Sequence, residues 1–122
     1  MIIKTQKIGQ YAEEQALHYL RQQQLILVER NFRCRLGEID LIMRDKTSYV
    51  FVEVRYRRST DYGESFETVT ITKKKKIIRA TAVYLQQRKL YENVPCRFDV
   101  VALTGNLQAP VIQWIKDAFQ LY

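Results

Sequence analysis

The stretch GEIDLIMRDKTSYVFVEVRYR, residues 37–57, constrains the fold more tightly than any other part of the chain. Two alternating apolar runs flank a short polar break, which predicts strands over about residues 37–44 and 49–57. Each run carries one carboxylate, Asp40 in the first and Glu53 in the second. By alternation, Tyr49, Phe51, Glu53, Arg55 and Arg57 share one face of the second strand, and Val50, Val52, Val54 and Tyr56 share the core face. Likewise Glu38, Asp40, Ile42 and Arg44 share one face of the first strand, and Ile39, Leu41 and Met43 the other. A turn centred on Lys46 and Thr47 folds the runs into a hairpin with Asp40 opposite Glu53 and Glu38 opposite Arg55. Opposed side chains have Cβ atoms about 5 Å apart. Two full charges about 4–5 Å apart repel by on the order of 3–4 kcal/mol at an effective dielectric near 20. An ordinary cross-strand pair contributes only roughly 0.2–1 kcal/mol. Two arrangements relieve the repulsion. A hard divalent cation such as Mg²⁺ would turn it into chelation. Alternatively, a longer turn shifts the register and pairs each acid with Arg44, Arg55 or Arg57.

The rest of the chain supplies partners for this hairpin. Ile8, Ala12, Ala16 and Leu20, joined by Leu17 and Tyr19, recur at helical spacing across residues 5–23. LILVERNF, 25–32, predicts a strand. The polar residues 58–71, with Gly63, predict an exposed loop. A second helix is expected over 72–90, capped by Thr70 or Thr72, with Ile77, Ile78, Thr81, Ala82, Tyr84 and Leu85 as its apolar side. RFDVVAL, 97–103, and VIQWI, 111–115, predict two more strands around a turn at Gly105, Asn106 and Pro110. The order is α-β-β-β-α-β-β: an α/β chain with a mixed central sheet flanked by helices, read as a single domain over 1–122.

Charge points to a polyanion. Twenty Lys and Arg face thirteen Asp and Glu, a net charge of +7. Two basic clusters stand out, KKKK at 73–76 and RYRRS from Arg55 to Ser59. The lysines open the second helix, the wrong end for its dipole, which favours contact with phosphate over simple solvation. Asp99 interrupts an apolar strand and is expected to pair with Arg97 or to line the same cleft as Asp40 and Glu53. Trp114 has no stacking pattern and reads as a core or boundary residue, and His18 as a surface or boundary one. Cys34 and Cys96 form no CxxC or Cys/His cluster, which argues against zinc and for two packed thiols in a reducing compartment. The start, MIIKTQKIGQ, has no signal-like apolar region, and no run approaches the ~20 apolar residues of a membrane span. A cytoplasmic protein without a membrane partner is expected.

These residues resemble the YraN family of small bacterial proteins. The likeness rests on RNFRCRLGEIDL, VFVEVRYR, VTITKKKK and RFDVVA, with an early GxxxExxA pattern at Gly9, Glu13 and Ala16. It covers nearly the whole chain. That family is similar in turn to the PD-(D/E)xK nuclease superfamily with its restriction-endonuclease-like fold, and in layout to archaeal Holliday junction resolvases. The resemblance implies Asp40 as the motif Asp, Glu53 as the second acid and Arg55 at the motif Lys position, the three forming the catalytic group. It implies Mg²⁺ or Mn²⁺ on Asp40 and Glu53, with Glu13 as a helper. Lys73 falls where some members place a further basic residue. With Lys76, Arg57 and Arg58 it is expected on the backbone of DNA, branched DNA included, or of RNA. Because the resolvases act as dimers, a homodimer is among the implied assemblies. The sequence departs from the superfamily in two places. Ile39 stands where a proline is usual, at a degenerate position. Arg55 stands for lysine, and a guanidinium stays protonated, so it can grip a phosphate but not take a proton. A metal-dependent nuclease and a nucleic-acid-binding protein without turnover therefore both stand. A protein-interaction adaptor with incidental basicity is a third, weaker reading.

Overall fold

The computed structural model describes residues 5–58, 69–90 and 94–120, so the loop expected around Gly63 lies largely outside the described residues. Among the described residues, seven elements follow in the expected order: α1 (Thr5–Gln22), β1 (Ile26–Cys34), β2 (Gly37–Asp45), β3 (Ser48–Arg57), α2 (Ile71–Gln87), β4 (Cys96–Thr104) and β5 (Val111–Phe119). The strands form one mixed sheet in the order β1-β2-β3-β4-β5. Only β3 and β4 run parallel, because α2 lies between them in the chain and returns it to the same end of the sheet. The two helices cover opposite faces. Ala16, Leu17 and Leu20 of α1 pack on Leu41, Met43, Val50, Val52, Val101 and Leu103. Ile77, Ala80 and Tyr84 of α2 pack on Phe32, Ile39, Ile42, Phe51, Phe98 and Phe119. Thr70 caps α2, its hydroxyl accepting the Lys73 amide at 3.1 Å. Among the described residues, no helix is long and apolar enough to cross a membrane.

The β2–β3 hairpin turns at Lys46 and Thr47, and its ladder runs from Asp45↔Ser48 to Leu41↔Val52. That is the register expected from the sequence. Beyond Leu41 the pattern changes. Ile39 and Leu41, two residues apart, lie in cores on opposite sides of the sheet, while Ile39 and Ile42, three apart, share one core. The expected single apolar face of β2 is therefore incorrect: its alternation breaks at Asp40. β1 breaks at the matching point. Arg30↔Leu41 and Phe32↔Ile39 are paired, and Asn31 between them has φ +54°. Asparagine tolerates this left-handed conformation better than most side chains. The β1–β2 ribbon thus swaps faces across Asn31 and Asp40. Glu38 pairs with Arg33 of β1 instead of Arg55, and the two form an ion pair at 3.3 Å.

Smaller corrections concern helix and strand ends. β5 continues to Phe119, past the expected end at Ile115, through an irregularity where Asp117 takes φ +53°. α2 ends at Gln87, and Ala82 on it is exposed, whereas Ala80 and Thr81 are buried. Cys34 packs partly against the α2-side core, but Cys96 is exposed, so only one thiol is packed as expected.

Candidate functional site

Where β2 leaves β3, its carboxylate turns back to the strand it has left. The Val54 amide donates to Asp40 Oδ2 at 2.8 Å, so the side chain takes over a backbone hydrogen bond. Glu53, the preceding residue of β3, is only 4% exposed. The Asp40 and Glu53 carboxyls lie close enough to act on each other's charge. Burial first, and then the Asp40 charge, push Glu53 from an ordinary 4.5 to about 8. Burial raises Asp40 as well, against the opposing pull of the Val54 amide and Lys73. Two cations stand near Glu53: Lys73 Nζ of α2 at 3.6 Å and Arg55 of β3 at 3.7 Å. These are ion-pair distances too long for strong hydrogen bonds, so the cations lower the Glu53 pKa without overcoming its burial.

Glu13 reaches the same place from α1. It is half-buried, and burial followed by the Asp40 charge raises it from 4.5 to about 7. The Asn31 side chain and Arg30 lie near, both opposing that rise. Glu38 adds a fourth negative group that acts on both Glu13 and Asp40. Among the described residues, no three acid, imidazole or thiol groups form a ready cation cage. The centre is a carboxyl pair with further acids around it.

The basic residues divide between two clefts. A groove of about 390 Å³ runs between the β1–β2 turn and the start of α2, lined by Arg33, Arg35, Glu38, Lys73 and Lys76. Lys73 therefore faces both Glu53 and the groove. Lys74 lies over the Phe119 ring at 5.8 Å, so the KKKK run points to more than one surface. Arg57 sits at the sheet end, paired with Thr104 of β4. Arg58 lines the second cleft, of about 860 Å³, together with Lys7, Tyr11 and Tyr56. Asp40, Glu53, Arg55, Glu13, Lys73 and Lys76 thus surround the carboxyl pair or its adjoining groove, whereas Arg58 lies apart from that groove. Asp99 does not line the carboxyl site; it pairs with Arg97 at 3.0 Å.

Sequence reasoning missed Asn31, Glu38, Arg33 and Arg35. Asn31 gave the clearest available signal, an asparagine inside an otherwise strand-like run opposite the motif acid. Arg33 and Arg35 gave none, because their placement depends on α2 folding over the β1–β2 turn.

The profile described as "Uncharacterised protein family UPF0102" matches residues 12–103. A UPF0102 protein of Nitrosococcus oceani is 48% identical over 113 residues, covering 93% of this chain and 91% of the relative. One from Stutzerimonas stutzeri is 46% identical over 96% of this chain and 98% of its own length. One from Coxiella burnetii is 45% identical over 99% and 98% respectively. With a matching profile across the core and near full-length relatives on both measures, the chain belongs to the UPF0102 family.

Proposed function

We propose that the Asp40–Glu53 centre binds a phosphodiester of structured DNA and, with Mg²⁺ or Mn²⁺, hydrolyses it, on a restriction-endonuclease-like fold. One observation carries this reading: two buried carboxyls come together at a break in the sheet, with Lys73 and Arg55 only at ion-pair distance from Glu53. A purely structural site would satisfy its buried acids with close donors. The donor set suits a hard cation, which is commonly held by one or two carboxylates and otherwise by water and phosphate oxygens. Such an ion supplies charge neutralisation at the phosphate and an oriented water. Asp40 and Glu53 would hold it, and Glu13 would add a third oxygen group. Glu53 must then give up its proton, so binding is expected to tighten as pH rises toward 8. Arg55 grips the scissile phosphate through its planar fork. Lys73 brings to the same carboxylate the ammonium that position 55 lacks. Lys76, Arg33 and Arg35 track the backbone without reading bases.

The second reading keeps binding and drops turnover. It is favoured by Arg55, whose guanidinium cannot take a proton from water. Mg²⁺- and Mn²⁺-dependent cleavage of duplex, single-stranded, forked and four-way-junction DNA separates the two, with Glu53→Gln alongside. Cleavage by wild type and not by the variant is the expected result. No cleavage of any substrate, with salt-sensitive binding retained, would establish the binding-only reading.

A further inference from the structure

The larger cleft lies apart from the carboxyl pair and its basic groove, and it is built differently. It opens at the sheet end where β3 and β4 finish and α1 begins. Two tyrosines line it. Tyr11 on α1 is 45% exposed. Tyr56 on β3 is half-buried and fixed by its hydroxyl, which donates to the Gly105 carbonyl at 2.6 Å. Lys7 and Arg58 supply positive charge at the rim. Asn106 and Gln108, in the turn before β5, supply polar edges, and that turn is held by a Gln15 donation to the Leu107 carbonyl at 3.1 Å. Tyr56 lies three residues beyond Glu53, about 10 Å along the strand at ~3.3 Å per residue.

We propose that this cleft binds an unpaired nucleotide of a DNA strand, its base stacked on Tyr11 and Tyr56 and its phosphate met by Lys7 and Arg58. Three features fit one occupant. Aromatic rings offer a π-face to any base, the two cations match a backbone phosphate, and amide side chains meet base edges. A duplex base pair offers no free face, so the cleft selects a single-stranded tail, fork or flap. A volume of about 860 Å³ accommodates a nucleotide and part of its neighbour. The inference rests on the nucleic-acid reading above and narrows its substrate class to DNA with an unpaired strand beside the scissile duplex.

The test is binding without metal, by fluorescence anisotropy, of a blunt duplex and of the same duplex carrying a short thymidine tail. Wild type, Tyr11→Ala and Tyr11→Phe are compared; Tyr11 is exposed, so its truncation leaves the core intact. Wild type is expected to prefer the tailed duplex. Tyr11→Ala should lose about tenfold on it, the scale of one base–aromatic stack, and nothing on the blunt duplex. Tyr11→Phe should bind as wild type does. A 5-iodouracil tail should photo-cross-link at Tyr11 or Tyr56. Equal binding of both duplexes by wild type, or equal loss on both in Tyr11→Ala, would overturn the cleft and leave the carboxyl site standing. Full displacement of the tail by thymidine monophosphate at the tail's own affinity would also overturn it, in favour of a mononucleotide site. No binding of any DNA by wild type would instead overturn the nucleic-acid reading itself.

Discussion

Two buried acids in one sheet are treated in opposite ways. Asp99 on β4 is fully buried and surrounded by donors. Arg97 Nε donates at 3.0 Å and Nη2 at 3.2 Å, the Trp114 indole at 2.9 Å, and the Asp117 amide at 2.9 Å. Arg97 also binds Asp45 at 3.0 Å, which ties β4 to the end of β2. Glu53 on β3 is nearly as buried, yet its close partner is another acid and its cations stand off by 3.6 and 3.7 Å. The difference separates an acid enclosed by hydrogen-bond donors from one that, among the described residues, is buried without close donors. Donors close around the first in every direction. The second sits beside another acid with its cations only at ion-pair distance, and its pKa is raised by burial first and by the Asp40 charge second.

The largest expected effect breaks the comparison from the Asp99 side. Asp99→Ala leaves the Trp114 indole and the Asp117 amide without their acceptor and Arg97 with Asp45 alone, and should cost about 3–5 kcal/mol in urea unfolding. Glu53→Gln should do the reverse. With a folded pKa near 8 against 4.5 unfolded, the folded chain holds a proton that the unfolded chain releases. Stability is complete below about pH 4.5 and is lost as pH rises to about 8, by on the order of 2–4 kcal/mol. Metal-free Glu53→Gln should therefore match wild type near pH 5 and exceed it by about 2 kcal/mol at pH 8.5, flattening the profile. A profile equally steep in the variant would assign the slope to Glu13 and its neighbours instead.

Finer tests sharpen the contrast. Trp114→Phe removes one donor from Asp99 while keeping the edge contact with Tyr19, and should cost about 1–2 kcal/mol. Lys46→Gly relieves the left-handed turn residue at φ +57° and should stabilise the hairpin by about 0.5 kcal/mol, leaving both acids untouched. Calorimetric melts of the two variants at one pH check both values.

The hairpin register was legible because a two-residue break between alternating runs admits few pairings, and Lys46–Thr47 is the turn found. Element order was legible for the same local reasons, and so was the α2 cap as one of Thr70 and Thr72. The swap of faces at Asn31 and Asp40 was not, since period-two alternation assumes a regular strand and a single left-handed residue undoes it. The partition between Asp99 and Glu53 was legible only in part, through Arg97 as one of two expected surroundings for Asp99. Both read as lone acids in apolar runs, and only the bulge at Asp117 brings an amide to Asp99. Arg33 and Arg35 carried no signal in the sequence, because the groove they line forms only where α2 lies against the β1–β2 turn.

Gly37 opens β2 directly beneath the first turns of α2, where a Cβ would lie 2.7 Å from the Lys76 carbonyl oxygen. Main chain therefore meets main chain across the basic groove, with no side chain between to flex. Its two walls, one carrying Arg33 and Arg35 and the other Lys73 and Lys76, share a fixed spacing like the jaws of a gauge. A methyl group at position 37 would act as a shim: it would lift the start of α2 and carry Lys73 away from Glu53. The smallest residue in the turn thereby sets the distance between charges that it never touches.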